Sequence, residues 1–101
     1  MSNYTLSLDA EQDLKEIARY TLKKWGKDKL TEYKEGLEGN FKAISDKIYH
    51  KDFSERFPDL FVIKHRHHFI FYFFNTSEKP VIIGVIHEQL DIINRLNDRL
   101  T

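Results

Sequence analysis

The sequence predicts an α+β fold: an N-terminal strand, a helical hairpin packed on one face of an antiparallel sheet, a three-strand meander and a short C-terminal helix, in a single domain over residues 1–101. Three observations predict it. Two apolar stripes in the first half recur at steps of three and four, the pattern of helices that each bury one face. Three apolar segments follow, at residues 60–65, 69–74 and 81–86, joined by links short enough to require antiparallel pairing. A last stripe, Leu90, Ile93, Leu96 and Leu100, marks the closing helix.

Residues 1–6 alternate weakly, with Tyr4 and Leu6 on one side, and suit a short strand. Ser7 and Asp9 are helix-start residues, and Asp9 with Gln12 fits a capping box. Ala10, Leu14, Ile17, Ala18, Thr21, Leu22 and Trp25 form the first stripe, which Gly26 ends. Leu30, Tyr33, Leu37, Phe41, Ile44 and Ile48 form the second, about five turns long. Gly36 and Gly39 interrupt it at a cost of about 1 kcal/mol each relative to Ala, which close approach of the two helices would offset. The short link at residues 25–29 makes the helices antiparallel neighbours. Lys23, Lys24, Lys27 and Lys29 crowd this corner, where solvated charge at a helix C-terminus explains them better than a phosphate site does.

Residues 49–58 have no clear period and read as a connection that Pro58 closes. Lys64 to His68 form a basic turn into the next strand. In the segment 69–74, Phe69, Phe71 and Phe73 oppose Ile70, Tyr72 and Phe74; in the segment 81–86, Val81, Ile83 and Val85 oppose Ile82, Gly84 and Ile86. Both faces are therefore apolar, and such strands are normally covered on both sides. The hairpin supplies one cover. The other falls to the closing helix, in which Asp91 and Arg95 stand at pairing distance, or is left as a groove for another chain.

Sixteen basic residues balance sixteen acidic ones, so no overall positive field draws the chain onto nucleic acid. There is no cysteine, hence no disulfide framework and no thiolate metal site. The start lacks the regions of a signal peptide and no apolar run has membrane-spanning length, so a cytoplasmic protein without membrane contact is expected. His65 and His67 share a strand face but lack evident further ligands, and no glycine-rich phosphate loop is present; no metal and no cofactor are expected. Fourteen per cent aromatic residues, eight of them Phe, point to a protein partner.

Tyr4-x-Leu6-Ser7 before Ala10, Asp13-Leu14-x-x-Ile17 with Tyr20, Trp25-Gly26, Tyr33, Leu37, His68-x-Ile70-x-Tyr72 and Ile86-His87-Glu88-x-x-Asp91 together cover nearly the whole chain. In order and spacing they resemble the ParE branch of the ParE/RelE superfamily of bacterial type II toxin-antitoxin toxins. The chain departs from the pattern at Phe61 and Val62, where such chains often carry Arg, and at Gln89 and Leu90, where they often carry Arg and Met. The resemblance implies a growth-inhibiting, plasmid-stabilising toxin neutralised by a ParD-like antitoxin encoded beside it, as a hetero-oligomer that meets DNA only through the antitoxin. ParE-type members are associated with poisoning DNA gyrase, and RelE-type members with cutting messenger RNA on the ribosome.

RNA cleavage needs groups that move protons and offset charge on the phosphate, for which Lys64, Arg66 and His87 are the candidates. His87 reads first as a strand-end residue bonding to backbone or to Glu88, and His68 as a strand-start residue bonding across the sheet. Binding without chemistry fits the charge balance and the apolar surplus better, so no catalytic residue is assigned. The candidate partner-binding residues are Phe61, Ile63, Lys64, Arg66, Tyr72, Phe74, His87, Leu90, Asp91 and Arg95. A ribosome-dependent endoribonuclease and a non-toxic relative that keeps only antitoxin binding are the alternatives.

Overall fold

Strands apolar on both faces need two covers, and the computed structural model, which describes residues 4–46 and 52–100, provides both. In chain order the elements are β1 (Thr5–Leu6), α1 (Leu8–Trp25), α2 (Lys27–Ser45), β2 (Asp52–Ser54), β3 (Phe57–His65), β4 (His68–Phe74), β5 (Pro80–His87) and α3 (Ile92–Leu100). The sheet order is β1-β5-β4-β3-β2, with β1 parallel to β5 and every other pair antiparallel. The α+β class, the hairpin and the meander stand as expected. Three features differ: β1 makes the sheet mixed, β2 forms an edge strand within the expected connection, and β3 begins at Phe57, so that Pro58 lies inside a strand instead of closing that connection. The three residues of β2 are too few to display a period. Ile48, Tyr49 and the first three residues, for which the sequence pattern suggests places in the fold, lie outside the described residues.

Ser7, not Asp9, is the N-cap of α1: its Oγ accepts the Ala10 N–H at 3.0 Å. Gly26 alone separates the two helices, at a φ of 91° that favours glycine. The hairpin buries Ala10, Leu37, Phe41 and Ile44 against Ile70, Tyr72, Ile82 and Val85 of the sheet. Leu22 and Trp25 do not join them; they stay 50% and 61% exposed. Gly36 does not mark close approach of the helices. A Cβ there would lie 2.6 Å from the His65 ring, so β3 fills the space the glycine leaves.

The second face buries Phe57, Leu60, Val62, Phe71, Ile83 and Ile86 in one cluster with Leu96 of α3, against which Phe53 of β2 also packs. A β-bulge decides which residues of β5 face it. Phe71 pairs with Gly84 but Tyr72 with Ile82, so Ile83 is an extra residue and the alternation changes phase. Val85 therefore faces the hairpin with Ile82, and Ile86 joins Ile83 on the α3 side, which reverses the simple two-residue reading for both.

At the bulge, α3 is tied to α1. Arg99 Nη1 and Nη2 donate to the two carboxylate oxygens of Asp13 at 2.7 and 2.8 Å, and Nη1 also donates to the Ile83 carbonyl at 3.1 Å. The Val85 N–H donates to the same carboxylate at 2.9 Å. Gly84 makes room for this, since a Cβ there would lie 2.5 Å from Nη1. Among the described residues, no helix is long and apolar enough to cross a membrane.

Candidate functional site

A hollow of about 650 Å³ opens where the second half of α1 and the first half of α2 meet the β3–β4 turn and the end of β5. Tyr20, Thr21 and Trp25 line it from α1, and Lys29, Glu32 and Tyr33 from α2. Arg66 and His67 reach it from the turn, His68 and His87 from the strands. His65 pairs with His68, so residues 66–67 alone make the turn, and His65 and His67 do not share a strand face as expected. Arg66 adopts a φ of 55°, a region few residues other than Gly enter, and its guanidinium reaches Glu32 on α2 at 3.1 Å.

The floor of the hollow is uncharged near neutral pH. Tyr33 Oη lies 2.5 Å from His68 Nδ1. Burial pushes the Tyr33 phenol up to about 12. Burial first, then His87, His65 and His67 beside it, push the His68 imidazole down to about 4. The phenol therefore donates and Nδ1 accepts, which assigns the remaining proton of His68 to Nε2. His68 thus bonds to α2, not across the sheet.

His87 sets its ring edge-on to His68, with centroids 5.1 Å apart, and its Nδ1 accepts the Gln89 N–H at 3.1 Å. Glu88 bonds elsewhere: His67 Nδ1 lies 2.6 Å from it and Lys64 Nζ 3.3 Å. The hydrogen bond from His67, followed by that from Lys64, holds the Glu88 carboxyl below its ordinary range.

The ten candidate partner-binding residues fall in four places rather than on one surface. Arg66 and His87 share the hollow. Lys64 lies on the other face of β3, over Phe69. Phe61, Ile63 and Phe74 are half-buried on the hairpin side, and Tyr72 is fully buried there, with no surface to offer a partner. Leu90 is 44% exposed beside α3. Asp91 caps α3 instead of pairing with Arg95: its carboxylate accepts the Asn94 N–H at 3.3 Å and the Asn94 side-chain amide at 2.6 Å. Sequence reasoning missed Tyr20 as rim and read Tyr33 and Trp25 as plain core. It also gave no role to Arg99, whose partner Asp13 is 86 positions away.

The fold is similar to that of a solved structure, "Chromosomal ParDE TA system from P. aeruginosa". The likeness has a TM-score of 0.69 at 13% identity and covers 86% of this chain and 98% of that one. The family model described as the ParE toxin of type II toxin-antitoxin system, parDE, matches residues 4–92. Toxin ParE of Escherichia coli is 36% identical over 101 residues, 99% of this chain and 98% of that protein. The chain belongs to the ParE toxin family of type II toxin-antitoxin systems.

Proposed function

We propose that this toxin is held inactive in the cytoplasm by direct binding of a ParD-like antitoxin, and that the freed toxin binds and poisons DNA gyrase without catalysing a reaction. One observation carries the choice of binding over cleavage. The cations an RNA-cleaving site would gather are separated and already paired, Arg66 with Glu32 in the hollow and Lys64 with Glu88 across the sheet. The aromatic centre of the hollow is neutral as well, so little there offsets charge developing on a phosphate. A protein partner suits the surface better: Tyr20, Leu22 and Trp25 on α1 and Leu90, Ile93 and Leu100 at α3 are all at least 37% exposed. The solved relative from P. aeruginosa is a ParDE system, which supports an antitoxin as one such partner.

Arg66 and His87 do line one hollow, and that favours endoribonuclease activity as the second reading. Induction in cells lacking the antitoxin separates the two. A DNA-damage response with intact messages is the expected outcome. Cleaved messages, abolished by His87→Ala or Arg66→Ala, would establish the nuclease instead. Copurification with the product of the adjacent gene checks the antitoxin, and its absence would remove that part of the reading.

A further inference from the structure

We propose that α3 is a latched cover: it opens as a unit about the link at residues 88–91 while hairpin and sheet stay folded, and the Asp13–Arg99 ion pair is its latch. The proposal does not depend on which partner the toxin binds.

The geometry is that of a strap fixed at two ends. The link preceding α3 is surface chain, with Gln89, Leu90 and Asp91 exposed. Arg99 sits in the last turn, at the end of the helix farthest from that link. Between the two ends, α3 contributes one fully buried side chain, Leu96, and a partly buried Ile92. Ile93 and Leu100 face outward. A helix of nine residues has no stability of its own in water, so docking and helicity should be lost together.

The latch is unlike the other ion pairs of the described residues. Lys64–Glu88, Arg66–Glu32 and Lys29–Glu32 are exposed pairs of the kind that contribute little. Asp13 and Arg99 are 11% and 12% exposed, joined by two parallel N–H···O bonds, and each also bonds the backbone of β5. Breaking a pair so sheltered leaves an uncompensated charge, which opposes undocking strongly. The pair also joins the two layers that flank the sheet: Arg99 belongs to the α3 side and Asp13 to the hairpin side. It passes beside the bulge, where a Cβ on Gly84 would meet the guanidinium. Release would open the side of the Val62, Phe71, Ile83 and Ile86 cluster that Leu96 completes, residues at most 8% exposed when α3 is down, while Phe53 keeps its edge-on contact with Phe71. The fold thereby holds a second apolar face in reserve behind one charge pair.

Hydrogen exchange followed by mass spectrometry on the full chain tests this. In the native protein, amides of residues 92–100 should exchange at least about 100-fold faster than those of β4 and β5, through an opening that leaves the sheet protected. Asp13→Asn keeps an oxygen for the Val85 N–H but removes the charge, and Gly84→Ala pushes the guanidinium aside. Each should speed exchange in α3 about 10- to 100-fold, with protection of α2, β3 and β4 unchanged. Exchange of α3 only in step with the whole molecule would overturn the proposal. So would a rise spread evenly over all segments, or a rise in one variant but not in the other.

Discussion

The two faces of the sheet are alike in apolar content and unlike in how they are covered. On one side, two helices of 18 and 19 residues press Ala10, Leu37, Phe41 and Ile44 onto Ile70, Tyr72, Ile82 and Val85. On the other, a helix of nine residues, with one fully buried leucine and one ion pair, shares with Phe53 the cover of Phe71, Ile83 and Ile86. Ala10, Leu37, Phe41 and Ile44 are buried from the hairpin and Leu96 alone from α3, so burial holds the hairpin down more firmly than it holds α3. The first face fixes the fold, and the second is where the molecule has least to lose by changing shape.

The largest expected effect lies on the hairpin face. Phe41→Ala should cost about 3–5 kcal/mol of unfolding free energy in urea titrations, because the buried ring leaves a cavity that two helices and a sheet cannot close. Leu96→Ala, although its side chain is equally buried, should cost about 2 kcal/mol or less, since its loss is limited by the free energy of docking α3. Equal losses would erase the distinction between the faces.

Gly36→Leu should lower stability by about 1–3 kcal/mol, read as a fall in melting temperature, because the new side chain meets the His65 ring. The ring cannot yield freely, as its Nδ1 holds the Asn40 amide at 3.0 Å. An unchanged melting temperature would show that β3 does not press on α2 there.

Acid should weaken the same face. The folded state holds His68 at about 4 against an ordinary 6.5, so between those values the unfolded chain binds more protons. His65 is shifted in the same direction by burial, then by Arg66. Stability is therefore kept above pH 6.5 and lost as the pH falls towards 4, by about 1–2 kcal/mol for His68 once solvent screening is allowed for. Denaturant titrations at the two pH values measure it, and His68→Asn should flatten the difference. The smallest effect belongs to the exposed Arg66–Glu32 pair. Glu32→Gln should change stability by about 0.5 kcal/mol or less, and a larger loss would mean that the turn depends on that carboxylate.

The helices were legible because Leu14, Ile17, Leu37, Phe41 and Ile44 repeat at helical spacing, and the central strands because residues 69–74 and 81–86 are continuously apolar. What stayed hidden depends on contacts far apart in the chain. No local pattern announces that Tyr33 will bond His68, or that Asp13 will meet Arg99. The bulge was hidden for another reason: in a strand apolar on both faces, slipping by one residue exchanges Val85 with Ile86 and leaves no trace in the pattern. Gly84 was the available signal, since an isolated glycine in a strand often marks a bulge or a close approach. The hollow was visible in part, as Arg66 and His87 were singled out, but its aromatic wall was assigned to the core.

DNA supercoiling by purified gyrase, measured with and without the toxin freed of its antitoxin, tests most directly whether the protein works by binding that enzyme. Loss of supercoiling with accumulation of cleaved DNA, restored by adding the antitoxin, is the expected result. Undiminished supercoiling at a large molar excess of toxin would contradict it.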